Sequence, residues 1–114
     1  MGKHLIIDAK VIYHPRSVLD SIDHIYRFLD DTVILLDMKI LCPPRVVRCK
    51  DKGNEGISGD CMITTSHLYI HTWPNTGIVH FDAFSCCDFL ENIVIDEFKH
   101  RFKPQTIVSQ VILR

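Results

Sequence analysis

The sequence predicts an α+β domain: a two-layer α/β sandwich with a mainly antiparallel sheet and two helices packed on one face. Three observations predict it. The 114 residues, 46% apolar and 24% charged, suit a single globular core. The elements read in the order strand, helix, several consecutive strands, helix, strand. Consecutive strands joined by short turns favour antiparallel pairing, with the helices laid on a common face.

Each element has its own signal. Residues 3–9 alternate weakly as a strand, and Pro15 stops the extended run. Ser17 with Asp20 three residues on resembles a capping box. Behind it Val18, Leu19, Ile22, Ile25, Tyr26 and Leu29 make one helical stripe, so a first helix runs to about Asp30. Two β-rich stretches follow, 33–41 and 45–49, separated by Pro43-Pro44. Residues 50–56 are polar and contain glycine, as in a loop. Residues 58–73 and 78–86 read as strands. Asp88 and Glu91 form a second capping pair, and Leu90, Ile93, Val94, Phe98 and Phe102 line one face of a second helix. Pro104 ends it, and residues 106–113 form a last strand. No repeat, linker or low-complexity tract divides the chain, so residues 1–114 are read as one domain.

Composition excludes several classes. A net charge of −1 offers no electrostatic attraction to nucleic acid or to an anionic membrane. The longest apolar run is about four residues, far short of a membrane span. No signal-peptide core follows the first residues, and Ile6 stands where a myristoylation motif wants Ser or Thr. Five cysteines, an odd number, fit neither a disulfide framework nor a zinc module. The expected setting is a reducing cytoplasm, with the cysteines as small core-compatible residues. Seven histidines invite a metal reading, but His67 and His71 at i, i+4 share a face only on a helix, and this segment reads as strand. No metal is expected.

The chemistry gathers in one short region. Pro74-Asn75-Thr76-Gly77 is a turn sequence, so 67–73 and 78–86 read as a hairpin. In that register Trp73 faces Ile78, His71 faces His80 and Tyr69 faces Asp82. Continuing the count sets Cys86 beside the Thr65–Ser66 bond. Residues opposite one another share a sheet face, so His71, Asp82 and Cys86 are expected on one side. Ser66, an odd number of residues from His71, needs a bulge near 66–67 to join them. Taken singly, His71 suits a hydrogen-bonded strand histidine, Cys86 a small buried residue, Trp73 a packing anchor and Ser66 a strand serine. It is the joint arrangement of hydroxyl, imidazole and thiol that points to chemistry.

Residues 66–74, Ser-His-Leu-Tyr-Ile-His-Thr-Trp-Pro, resemble the Ser-His-x-x-Ile-His-Thr-Trp-Pro motif of the small prokaryotic S-adenosylmethionine decarboxylase proenzymes, which are pyruvoyl enzymes. Gly2-Lys3-His4-Leu5, Gly56-Ile57-Ser58-Gly59 and Asp82-Ala83-Phe84-Ser85-Cys86 resemble further family motifs, so the likeness covers most of the chain. It implies self-cleavage between residues 65 and 66. The Ser66 hydroxyl attacks the Thr65 carbonyl, and elimination with His71 as processing base leaves a pyruvoyl group made from Ser66. Ser58 assists the processing. The ketone forms a Schiff base with the substrate amine, and Cys86 protonates the carbanion left by carbon dioxide. Relatives are dimers with sites near the interface, so a homodimer is implied too.

The sequence departs from the family pattern at three points. Thr65 and Asn75 stand where relatives usually have Glu, and no Phe, Tyr or Trp lies between Phe28 and Tyr69 to stack an adenine. A neutral amide binds ribose hydroxyls more weakly than a carboxylate does. The pyruvoyl chemistry set is intact, and the resemblance implies decarboxylation of S-adenosylmethionine for spermidine synthesis, with Trp73 and Asn75 at the substrate. The alternatives are a pyruvoyl decarboxylase of arginine or ornithine, with Glu55 facing the basic group, or a non-processing regulatory paralogue.

Overall fold

Alternation along the strands decides which side of the sheet is buried. In the computed structural model, which describes residues 2–114, six strands form one antiparallel sheet in the order β2-β3-β4-β5-β1-β6. These are β1 (Lys3–Lys10), β2 (Ile40–Cys49), β3 (Gly56–Ile63), β4 (Ser66–Trp73), β5 (Ile78–Ser85) and β6 (Thr106–Leu113). Three helices accompany them: α1 (Pro15–Leu19), α2 (Ile22–Leu35) and α3 (Glu91–Phe102). Leu5 and Ile7 of β1, Ile57 and Cys61 of β3, Leu68 and Ile70 of β4, and Val79 and Phe81 of β5 are buried beneath the helices. Phe28 of α2 lies at the centre of this core, edge-on to Phe81, Phe98 and Phe102 at 5.0, 5.8 and 4.9 Å. The other face of the sheet carries no helix and presents polar and aromatic side chains.

The sandwich is as the sequence predicts, with local differences. The first helix is two. Ser21 breaks it, accepting the His24 N–H at 3.1 Å as the N-cap of α2, while Ser17 donates its hydroxyl to His14 instead of closing a capping box. Residues 33–35, read as strand, are the last turn of α2. Thr32 and Val33 are buried against the sheet there, and that packing overrides their β preference. The Phe28 side of α2 faces the core, so Ile22 and Tyr26 of the expected stripe stay partly exposed. Pro43-Pro44 do not divide β2. It is an edge strand whose register shifts between Cys42 and Arg45, the position where missing N–H donors are tolerated. Asp88 and Glu91 do not cap α3, whose N-cap is Leu90 with no side-chain bond.

Two glycines are required by close approach. A Cβ on Gly56 would sit 1.8 Å from the Thr72 carbonyl oxygen, so β3 can lie against β4 here only with glycine. Gly77, at φ 77°, closes the β4–β5 turn, its N–H bonding the Trp73 carbonyl at 2.8 Å.

Candidate active site

Strand β4 carries the site, and its regular pleat separates two sets of groups. The β4–β5 register is the expected one: Trp73 opposite Ile78, His71 opposite His80, Tyr69 opposite Asp82. On the open face Ser58 of β3 lies directly across from His71, and its hydroxyl is 2.7 Å from His71 Nδ1. Tyr69 stacks on His71 at 5.3 Å, and Trp73 meets His80 edge-on at 5.1 Å. Ser58, His71 and Trp73 line a shallow hollow of about 200 Å³, with Asn54 accepting from the indole N–H at 3.4 Å.

The second set sits at the start of the same strand. Ile63 pairs with Ser66, so Thr64 and Thr65 alone make the turn between β3 and β4. A turn this tight needs left-handed backbone, and Thr65 supplies it at φ 57°. For a β-branched residue that conformation is strained. The strain falls on the residue whose carbonyl would be attacked. The Ser66 side chain points to the helix side, nearly buried, where it meets the Ser85 hydroxyl at 3.3 Å and accepts the Cys86 N–H at 3.3 Å. Cys86 follows β5 and places its sulfur 2.7 Å from Thr65 Oγ1.

Thr65 has one hydroxyl proton and two neighbours for it, the Thr64 carbonyl at 2.6 Å and the Cys86 sulfur. While the thiol is neutral it donates to Thr65, which donates to the carbonyl. When the thiol ionises the hydroxyl turns to it, and this bond first of all holds the Cys86 pKa below its ordinary value. Cys87 is shifted the opposite way, chiefly by its contact with Cys86.

The expected residues are thus brought together as two pairs. Ser58 joins His71, and Cys86 joins the Thr65–Ser66 junction. The convergence of His71 with Ser66 inside one chain does not occur, because β4 has no bulge to turn Ser66 round. Five strand residues also separate the two by about 16 Å. Asn75 lies in the β4–β5 turn with its amide oxygen taken by Arg16. Glu55, whose carboxylate accepts the Gly53 N–H at 3.0 Å, shares a neighbouring hollow with Arg16, Arg48 and Lys50. Two contributors were not legible in the sequence. Ser85 is a plain strand serine until pairing puts it beside Ser66. Lys3 is only 12% exposed and binds Asp88 at 2.8 Å, Glu91 at 2.7 Å and the Phe89 carbonyl at 2.7 Å, pinning the segment after Cys86. The Asp88/Glu91 spacing was the available signal, and its partner is Lys3 instead of a helix end.

The S-adenosylmethionine decarboxylase family profile matches residues 3–114. This chain belongs to that family. Relatives named S-adenosylmethionine decarboxylase proenzyme include one from Methanococcus maripaludis, 28% identical over 94% of this chain and 84% of the relative. Another, from Archaeoglobus fulgidus, is 29% identical over 100% of this chain and 97% of its own length. One from Clostridium kluyveri is 31% identical over 77% of this chain, an alignment that spans 65% of that relative. The crystal structure of the adenosylmethionine decarboxylase from Aquifex aeolicus shares the fold, with a TM-score of 0.83 at 22% identity, covering 100% of this chain and 90% of that one.

Proposed function

We propose that the chain is a proenzyme that cleaves itself between Thr65 and Ser66 and then decarboxylates S-adenosylmethionine, feeding spermidine synthesis. The observation that carries this reading is the junction itself: a serine hydroxyl after a left-handed threonine, with a thiol against that threonine's side chain. In this family member Ser66 Oγ attacks the Thr65 carbonyl, and the resulting ester is opened by removal of the Ser66 α-proton.

The surroundings of residue 66 hold the group that attacks. Ser66 Oγ donates to the Ser85 hydroxyl and accepts the Cys86 N–H, both at 3.3 Å. Elimination leaves this oxygen on the Thr65 carboxylate, and the ketone oxygen enters at the Ser66 Cα from water. The pyruvoyl ketone supplies the electron sink that natural side chains lack. Cys86 holds a proton at Sγ for the carbon that loses carbon dioxide.

We infer that His71 acts on the Thr65–Ser66 junction of a second copy, since no bulge in β4 joins the two inside one chain. Among its polar and aromatic side chains the uncovered sheet face exposes Met62, Tyr69, Ile78 and Ile112, which a second copy can cover. Two such faces stacked about a twofold axis would set the Ser58–His71 pair of one subunit against the open-face side of the other's Thr65–Ser66 peptide. We therefore infer a homodimer in which Ser58 and His71 act across the interface. No described helix is long and apolar enough to cross a membrane, and five free cysteines suit a reducing cytoplasm.

Between substrates, the setting of Glu55 favours S-adenosylmethionine. Its hollow holds the basic Arg16, Arg48 and Lys50 against Asp20 and Glu55, a poor host for a guanidinium or ammonium head group. Trp73, with its indole N–H held by Asn54, offers the ring on which an adenine can stack.

Intact mass is the first test, with fragments 1–65 and 66–114 expected and the second carrying a blocked N-terminus. Carbon dioxide release from S-adenosylmethionine, arginine and ornithine side by side tests the substrate, and turnover only with a basic amino acid overturns the reading. Co-expression of Ser66→Ala with His71→Ala tests the interface. Action in trans restores cleavage of the His71→Ala chain, and action within one chain leaves both copies intact.

A further inference from the structure

The processing and decarboxylation chemistry uses Cys86 and leaves its neighbour idle. Cys87 is exposed, as Cys86 is, and their sulfurs lie 3.9 Å apart. Of the other three, Cys42 is exposed and Cys49 half-buried. Cys61 is buried, with its thiol pushed up to about 11, and its sulfur donates to the Cys42 carbonyl at 3.6 Å. The segment 86–87 lies beyond the end of β5, where hydroxyls hold the amides: Cys86 N–H to Ser66 and Cys87 N–H to Ser85 at 3.1 Å. Two thiols in contact on a segment free of the strand ladder can close on one another without unpicking the sheet.

We propose that Cys86 and Cys87 form a reversible thiol–disulfide couple, a modification site at which a hydroperoxide oxidises the adjacent thiols and removes the proton-donating thiol of the active site. The inference rests on Cys86 being that donor. The steps balance simply. The Cys86 thiolate attacks a peroxide oxygen, giving a sulfenic acid and releasing hydroxide or alkoxide. The Cys87 sulfur then attacks the Cys86 sulfur and expels water. The two thiols lose two electrons and two protons in all, and the peroxide gains them.

Cys86 is suited to the first step because it is exposed with Cys87 in contact, and in the uncleaved chain Thr65 also holds its pKa down. Contact with Cys86 is what raises the Cys87 pKa, so conversion of the Cys86 thiolate to a neutral sulfenic acid relieves that rise and frees the Cys87 sulfur to attack. Adjacent residues have Cα atoms about 3.8 Å apart, closer than the usual disulfide span of about 4.4–6.8 Å. Such a bond is strained and readily reduced, which is the property of a regulatory disulfide and not of a structural one. In the oxidised form the Cys86 sulfur has no proton to give, so turnover stops. Cys87 also shields Cys86 from further oxidation to the sulfinic acid, which is not recovered by thiols.

The test treats the processed protein with hydrogen peroxide and follows intact mass, a peptide map after thiol alkylation, and carbon dioxide release, before and after dithiothreitol. The expected result is a loss of about 2 Da confined to the peptide holding both residues, a fall in turnover of about 10²-fold or more, and recovery of both with dithiothreitol. Cys87→Ser keeps the basal turnover. After prolonged peroxide it gains about 32 Da and stays inactive in dithiothreitol. Oxygen addition to the wild-type Cys86 without the 2 Da loss overturns the proposal. So does a disulfide that leaves turnover unchanged, or a Cys87→Ser variant that recovers as the wild type does. The two readings fail separately. A reduced protein that releases no carbon dioxide from S-adenosylmethionine yet still forms the disulfide sinks the assigned activity and upholds the couple. Normal turnover with no disulfide does the reverse.

Discussion

Replacing Thr65 by glycine asks whether the turn before Ser66 is strained for cleavage. Thr65 holds φ 57° in a two-residue turn, a conformation that costs a β-branched residue about 1–2 kcal/mol and glycine almost nothing. Cleavage makes Thr65 a chain end, so the strain is released on the way to product. If the transition state has shed all of it, Thr65→Gly slows self-processing by about 5- to 30-fold. Stability moves the other way. Relief of that strain, less about 0.5–1 kcal/mol for the extra freedom of glycine in the unfolded chain, leaves a gain of about 0.5–1 kcal/mol. In a Ser66→Ala background, which cannot cleave, that gain raises Tm by about 2–6 °C. Thr65→Ala is the control: it removes the hydroxyl but keeps the Cβ and most of the strain, so its processing stays near the wild-type rate. The assay is a time course of fragment appearance by intact mass, with thermal unfolding of the uncleavable variants. Thr65→Gly cleaving as fast as wild type would refute the argument, and an unchanged Tm would show that no strain was there to release.

Three other outcomes are expected. Cys86→Ala still cleaves, since proton return follows carbon dioxide loss, but its turnover falls by about 10²–10⁴-fold; steady-state rates on the separated fragments check this. Thr72→Val costs about 1–3 kcal/mol in urea unfolding, because the buried Thr72 hydroxyl accepts the Ile57 N–H at 3.0 Å and donates to the Leu19 carbonyl at 2.6 Å, and valine leaves both unmet. Lys3 holds Asp88 and Glu91 below their ordinary pKa values, so the stability they contribute is present at neutral pH and is lost as pH falls through the lowered values. Lys3→Met removes that part of the acid sensitivity, and unfolding midpoints measured from pH 7 down to acid should lie closer together than those of wild type.

The helix-covered antiparallel sandwich was legible because alternation and helical stripes are local patterns that one core must satisfy together. The turn at 74–77 carried the β4–β5 register, since a four-residue loop with glycine at its end leaves one pairing that keeps Val79, Phe81 and Ala83 inside. Less local choices were not legible. The run from Val33 has β-branched residues and reads as strand, yet it extends α2, because burial of Thr32 and Val33 outweighs a propensity difference of well under 1 kcal/mol per residue. Lys3 and Ser85 gained their roles only from partners that folding brought near.

The same division runs through the site. Residue types and spacing by themselves determined that a serine, an imidazole and a thiol share one hairpin, and that Cys86 stands at the Thr65–Ser66 bond. They also determined that Ser66 and His71 point to opposite faces, because strand parity is counted directly along the chain. Tertiary structure decided how that parity is resolved. It placed no bulge in β4, gave Thr65 a left-handed backbone, set Ser58 against His71, and left the face bearing them without a covering helix. These outcomes depend on which strands become neighbours and what covers them, and contacts between residues distant in sequence are set by the packing of the whole core.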